Sequence, residues 1–330
     1  MSKYVVIGSN AFSGQDFVDL LLDDPSREVI GISRSPEKPA FMLRYRGHRN
    51  VGNFRFKQLD MNRDMDALLA FLDAERPDYI VNFAAQSEVA PSWEHPEHWF
   101  ATNTVALARF VNHLRRQNYL KRYLHISSPE AYGSCSGNVT ETTPDNPSTP
   151  YAASKAAADM LIQVYQKQYG FPALFVRATN VYGGRQQLFK IIPRSMIYVK
   201  TGRRIQLHGG GVAVKSYIHI RDVSRGELAI LHHGEIGERY HISPDRGVAV
   251  RDVVRTICER MGKRFEDAVD IAPERPGQDA AYVIDSTKAR RKFGWKPEID
   301  LDQGIAETAS WVEANWAEIV KQPLDYQHKA

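Results

Sequence analysis

The stretch KYVVIGSNAFSGQDFVDLLL, residues 3–22, decides the fold. Tyr4 to Ile7 is a short apolar run that suits a strand, and the residues after Ala11 read as an amphipathic helix. Between them lies a turn of small residues that includes Gly8 and ends at Ala11. Strand, small-residue turn and helix in that order bring backbone N–H groups and a helix N-terminus to one point, which suits a pyrophosphate. Gly8 and Gly14 alone are a weak signal. Their place between a strand and a helix makes them informative.

The same unit recurs along the first half. EVIGISRSPEK (28–38) is a strand that ends at Ser33-Arg34-Ser35 with no carboxylate. A carboxylate at that strand end would bind a ribose 2′-hydroxyl, whereas an arginine accommodates a 2′-phosphate. FKQLDMNRD (56–64) gives a strand running to Asp60-Met61. DYIVNFAAQSEVAPSWEHP (78–96) gives another, followed by the small residues Ala84 and Ala85, then Gln86 and Ser87. In RYLHISSPEAYG (122–133), Tyr123, Leu124 and Ile126 read as a buried parallel strand with Ser127 and Ser128 at its end. Ligands of open α/β sheets bind outside such carboxyl ends.

PYAASKAAADMLIQVYQKQYG (150–170) then places Tyr151 and Lys155 four apart, on one face of a helix. A free tyrosine, with pKa ~10, is a poor base at neutral pH, and an ammonium one turn away favours its phenolate. The pair suits removal of a proton from a hydroxyl while hydride leaves the same carbon.

Ser128, Tyr151 and Lys155 together resemble the Ser–Tyr–Lys set of short-chain dehydrogenases and reductases. The chain resembles the extended branch of that superfamily, and within it the nucleotide-sugar 4,6-dehydratases. The resemblance implies a Rossmann-type α/β fold, a doubly wound parallel sheet with a smaller C-terminal α/β substrate-binding domain. It divides the chain into a NAD(P)-binding part, 1–178 with roughly 220–242, and a nucleotide-sugar part, 179–219 and 243–330. The family glycine pattern has Ala11 as its middle member here, with Phe12 and Ser13 beside it.

Cofactor residues implied by the likeness are Gly8, Ala11, Phe12, Ser13, Gly14, Arg34, Ser35, Asp60, Met61, Ala84, Ala85, Gln86, Asn103, Tyr151 and Lys155. The GQD after the glycine turn and the Arg34 strand end resemble GDP-mannose 4,6-dehydratases, which use NADP. NADP is therefore the expected cofactor, with NAD second. Asn180 precedes a YG as in the family, Lys190, Ile192 and Pro193 match its K-x-I-P element, and Lys215 stands where many dehydratases have an arginine. PERPGQDAAYVIDSTKARRKFGWKP (273–297) resembles the RPGxD segment, which makes Arg275 a phosphate or ribose ligand, Asp279 a loop-fixing residue and Trp295 core. Ser87, Glu88 and Ser128 complete the implied substrate set, Glu88 standing where relatives have histidine.

SSPE bears on the reaction. The likeness makes Ser128 the hydroxyl that binds the sugar 4-oxygen and Glu130 the base for the C5 proton. Position 129, an acid in the dTDP-glucose enzymes, is Pro129, so Glu130 itself, a water or another residue must protonate the leaving hydroxyl. A 4-epimerase or uronate decarboxylase would use the same 4-keto intermediate, and a non-catalytic sugar-nucleotide sensor is the alternative of another class.

Composition fits. The 330 residues are 43% hydrophobic and 25% charged, and the net charge of +4 comes from scattered residues rather than a nucleic-acid patch. No apolar run approaches the ~20 residues of a membrane span, and the N-terminus lacks a signal peptide's apolar core. Two cysteines, Cys135 and Cys258, make neither a disulfide scaffold nor a zinc site, so no metal and a cytoplasmic home are expected. The helices 99–116 and 152–169 match those through which relatives pair, which predicts a homodimer through a four-helix contact.

Overall fold

The computed structural model describes residues 2–134, 139–273 and 281–329, with backbone alone at 281 and 282. Six strands alternate with helices through the first half: β1 (Ser2–Ile7), β2 (Arg27–Ser33), β3 (Phe54–Gln58), β4 (Tyr79–Asn82), β5 (Arg122–Ile126) and β6 (Ala173–Ala178). Five follow with shorter spacing: β7 (Asn180–Tyr182), β8 (Ile205–His208), β9 (Val214–Lys215), β10 (Tyr217–His219) and β11 (Arg239–Ile242). The last three are β12 (Val248–Ala249), β13 (Val269–Ala272) and β14 (Ala281–Tyr282).

One sheet carries the fold. Its seven strands run parallel in the order β11-β6-β5-β4-β1-β2-β3, reversing direction of growth between β1 and β4. That reversal is the switch point at which a doubly wound sheet opens a crevice. Strands β1, β2, β4 and β6 are buried on both faces because helices cover both. Helices α1 (Phe12–Leu21), α2 (Met65–Glu75), α3 (Pro96–Phe100), α4 (Leu107–Leu114), α5 (Pro150–Tyr169), α6 (Ile191–Thr201), α7 (Ile220–His233) and α8 (Val250–Arg260) are the ones used below. On one face Phe17, Val18 and Leu21 of α1 pack with Val223, Ile230 and Leu231 of α7. On the other, Leu68 and Leu72 of α2 meet Phe110 of α4 and Ile162 of α5.

A separate core forms among Ile192 and Met196 of α6, Val253 and Ile257 of α8, and Ile305 and Trp311 of the helix Leu301–Ala314. The small sheets β7–β10, β8–β13 and β12-β9-β14 join this part. The expected helix 99–116 is broken into α3, a π-helical turn Ala101–Ala106, and α4. Trp295 is buried in the core of the main sheet, its indole N–H donating to the Asp222 carbonyl at 2.9 Å. No helix among the described residues is long and apolar enough to cross a membrane.

Candidate active site

The glycine turn is set by close backbone approach. Gly8 has φ +85, and a Cβ there would lie 2.7 Å from the Ala84 nitrogen; at Gly14 a Cβ would lie 2.2 Å from the Gly8 carbonyl oxygen. Side chains at either position would push β1, α1 and the loop after β4 apart. The first turn of α1 has no side-chain cap, so its N–H groups face the crevice as an anion site. The residues present therefore fit a dinucleotide pyrophosphate.

Ser128 stands at the end of β5, where the chain turns into the 3-10 segment Pro129–Tyr132, and its hydroxyl accepts from the Glu130 N–H at 3.2 Å. Thr149 caps α5 by accepting from the Ala152 N–H at 3.1 Å, which fixes Tyr151 in the first turn. The Tyr151 N–H donates to the Ser92 hydroxyl at 3.2 Å. Ser128, Glu130, Tyr151 and Lys155 line one cavity of about 290 Å3, together with Ala11, Phe12 and Ser13 from the glycine turn. Ala85, Ser87, Asn180 and Lys190 line it too. This is the crevice at the carboxyl ends of the strands.

Electrostatics there differ from the simple expectation. Lys155 is buried and donates to the Ile126 carbonyl at 2.8 Å. Burial lowers its pKa to about 8, against the pull of Asp159. Burial also pushes the Tyr151 phenol well above its ordinary value; the charge of Glu130 adds to this, and a hydrogen bond from Ser128 opposes it. Desolvation and Glu130, rather than Lys155, thus dominate the phenol.

Behind Lys155 lies a buried network that the sequence reading missed. Asp159, one further turn along α5, accepts from the Ser127 hydroxyl and from Arg177 of β6, each at 2.6 Å. Burial raises its carboxyl, but Arg177, His125 and Arg239 outweigh that and hold it below its usual value. Arg177 also donates to Asp145 at 2.7 Å. Position 159 continues the 151–155 spacing, and that was the available signal.

Other predicted residues fall around this centre. Arg34, Gln86 and Glu88 line a neighbouring cavity of about 370 Å3, shared with Ala85 and Ser87. The Ser35 carbonyl accepts from the Asn10 amide at 3.1 Å, which ties the strand end to the glycine turn. Asn103 is buried, and its amide clasps the backbone of Gln86: Nδ2 donates to the Gln86 carbonyl at 3.0 Å and Oδ1 accepts its N–H at 2.9 Å. Its remaining donor goes to Ser154, so Asn103 acts on the crevice through Gln86. Asp60 caps the Asn62 N–H at 2.8 Å, and Met61 is buried beside β3. Glu88 pairs with Lys190 at 2.7 Å, and the Asn180 Oδ1 is buried with no hydrogen-bond partner.

One described substrate candidate lies away from the crevice. Lys215 sits in β9, opposite Val248 and Tyr282, and lines neither cavity. Arg275, Asp279 and Cys135 lie outside the described residues. Gln15 and Asp16 of the GQD run are buried. Gln15 accepts the Arg44 N–H at 2.7 Å, and Asp16 accepts the Ser224 hydroxyl at 2.8 Å, which joins α1 to α7. Sequence reasoning also missed Glu227 of α7, a buried carboxyl on the wall of the cavity that holds Tyr151 and Lys155.

Known proteins resemble this chain over nearly its whole length. The family model described as GDP-mannose 4,6 dehydratase matches residues 5–308. The dTDP-glucose 4,6-dehydratase of Mycolicibacterium smegmatis is 33% identical over 339 residues, covering 99% of this chain and 98% of that protein. The dTDP-glucose 4,6-dehydratase of Bacillus anthracis, solved in complex with NAD, matches with TM-score 0.86 at 27% identity over 96% of this chain and 97% of its own. That of Streptomyces venezuelae, also with NAD bound, gives 0.85 at 30% identity over 96% and 98%. With matched relatives over nearly its whole length and a seven-stranded parallel sheet behind a Ser–Tyr–Lys crevice, this chain belongs to the GDP-mannose 4,6 dehydratase family of extended short-chain dehydrogenases/reductases, the nucleotide-sugar 4,6-dehydratases.

Proposed function

We propose that Ser128, Glu130, Tyr151 and Lys155 carry out a 4,6-dehydration on a nucleoside diphosphate hexose. The observation that carries this reading is the cavity that holds all four beside the glycine turn. A nicotinamide nucleotide, when bound, supplies the hydride acceptor for C4 and the donor for C6. Ser128 holds the sugar 4-oxygen, and Tyr151 takes the 4-hydroxyl proton as its phenolate, a form that the Lys155 ammonium and the positive ring of an oxidised nicotinamide would have to favour against burial. Oxidation at C4 makes the C5 proton acidic, and Glu130 removes it. The electron pair left at C5 forms the C5–C6 double bond as the C6–O bond breaks.

Pro129 has no proton to give, so Glu130, now protonated, returns its proton to the departing C6 hydroxyl, which leaves as water. One carboxyl thus serves both halves of the elimination; hydride returned to C6 would leave C5 to take up a proton from solvent, and Tyr151 gives its proton back to solvent. Glu130 favours dehydration over epimerisation through the same ketone, and the RPGQD run at 275–279 favours it over decarboxylation. Mass spectrometry after incubation with GDP-, dTDP-, UDP- and CDP-hexoses tests this: one product should be lighter by a water. A product of unchanged mass would put epimerisation first, and loss of carbon dioxide from a uronate would put decarboxylation first.

The glycine turn, Ala84, Ala85 and Gln86 hold the dinucleotide in this reading, with NADP preferred over NAD. Support comes from the end of β2, where Ser33 replaces a carboxylate and its hydroxyl accepts the Asn10 N–H at 2.9 Å. Arg34 follows as the cation for a 2′-phosphate. NAD stays the second choice because it is the nucleotide bound in the B. anthracis and S. venezuelae enzymes. Asn180 and Lys190, which line the cavity, and Arg275, by its likeness, are assigned to the nucleotide sugar, whereas Lys215 of β9 lines neither cavity and is not. The division into 1–178 with 220–242, and 179–219 with 243–330, follows from the same reading. A homodimer through the helices 99–116 and 152–169 is supported by Val105 of the π-helical turn and by Met160 and Val164 of α5, exposed at 66%, 54% and 58%.

A further inference from the structure

His95 and His98 flank Glu97 at the start of α3, and their ligating atoms lie within 4.8 Å of one another. Glu97 Oε1 is 3.9 Å from His95 Nδ1 and 3.7 Å from His98 Nε2. A tetrahedral zinc-class ion with ligands at ~2.0–2.1 Å needs donors roughly 3.3 Å apart. Small rotations of three surface side chains close that gap.

The opposite nitrogen of His98 is also committed. Its Nδ1 lies 2.8 Å from Nε2 of His328, and His328 Nδ1 lies 3.1 Å from the Tyr326 hydroxyl. The His328 ring stacks on Trp99 at 5.3 Å with planes 3° apart. When His98 ligates through Nε2, its proton sits on Nδ1 and donates to His328, the outer-shell arrangement that orients metal-bound histidines.

His328 belongs to the segment 322–329, which walls the cavity holding Arg34 and Gln86. Within it the Lys329 carbonyl accepts from the Gln86 amide and, at 3.4 Å, from Arg34, and the Lys329 ammonium lies 3.4 Å from the Ser35 hydroxyl.

We propose that His95, Glu97 and His98 bind a divalent transition-metal ion of the zinc class, and that the ion latches residues 322–329 across the crevice edge through the His98–His328 hydrogen bond. The inference does not depend on the dehydratase reading, and its test needs no turnover. Titration calorimetry of the full chain with zinc chloride should saturate at one ion. His98→Ala should weaken that binding by at least ~100-fold, and His328→Ala by the ~10–100-fold typical of an outer-shell partner. Hydrogen exchange of residues 322–329 should slow with zinc in the unmodified chain and stay unchanged in His98→Ala, with thermal melting showing that the variant is folded. Absence of zinc binding, or binding insensitive to His98, overturns the site. Zinc binding with unchanged exchange in 322–329 overturns the latch.

Discussion

The Arg177 guanidinium and the Asp159 carboxylate meet at 2.6 Å with both side chains fully buried, directly behind Lys155. A buried pair is costly to form, but removing one partner leaves an uncompensated charge in the interior. Asp159 also holds the Ser127 hydroxyl and raises the Lys155 pKa against the effect of burial. It stands behind the Tyr151–Lys155 face without lining the cavity.

Asp159→Asn should therefore cost about 3–5 kcal/mol of stability by urea unfolding. It should also move the pH at which Lys155 loses its proton below about 8, because the charge that raises it is gone. The basic limb of the pH–rate profile should shift down accordingly. A variant that is destabilised with an unchanged pH profile would make the pair purely structural.

Glu227 gives a second pH signature. Burial, then Asp16, raises its carboxyl from 4.5 to about 8. Below 4.5 folded and unfolded chains are both protonated at this site. Between 4.5 and 8 only the unfolded chain ionises, so stability falls as pH rises, and the loss is complete above 8. Glu227→Gln should thus match wild type at pH near 4.5 and exceed it by at least ~1 kcal/mol at pH 9, since each pKa unit is worth ~1.4 kcal/mol. A gain of equal size at both pH values would remove titration as the cause.

Asn103 predicts an effect on cofactor binding at a distance. Asn103→Leu frees both backbone groups of Gln86 and leaves the Ser154 hydroxyl without its donor. Nicotinamide-nucleotide affinity should fall by at least ~10-fold, in line with the ~1–3 kcal/mol for an unsatisfied buried group. Fluorescence titration with each dinucleotide reads this directly. Unchanged affinity would show that Gln86 needs no such clamp.

The fold was legible because its signals are local. An apolar run, a turn of small residues and a helix pattern are each written within about ten positions, and Gly8 and Gly14 meet close backbone in the structure. Tyr151 and Lys155 were legible for the same reason. What escaped depends on contacts distant in sequence. Arg177 reaches α5 from the next strand, and His328 reaches His98 across 230 positions. GQD carried a family likeness, but the contact of Asp16 with Ser224 of α7 joins positions 208 apart and is not written in that run. The Tyr151 phenol was misjudged because burial, invisible in a spacing, outweighs the lysine one turn away.

Glu130 carries the central claim, since it is assigned both the C5 base and the acid that Pro129 lacks. Oxidation at C4 needs Tyr151, Lys155 and the nucleotide but not Glu130, so Glu130→Gln should separate oxidation from elimination. The most direct measurement is the absorbance of reduced nicotinamide in that variant after mixing with the hexose nucleotide that wild type dehydrates. Reduced nicotinamide should form and accumulate while water loss slows by at least the ~10²-fold typical of a removed general base. Normal turnover by Glu130→Gln, with no reduced nicotinamide accumulating, would contradict the assignment.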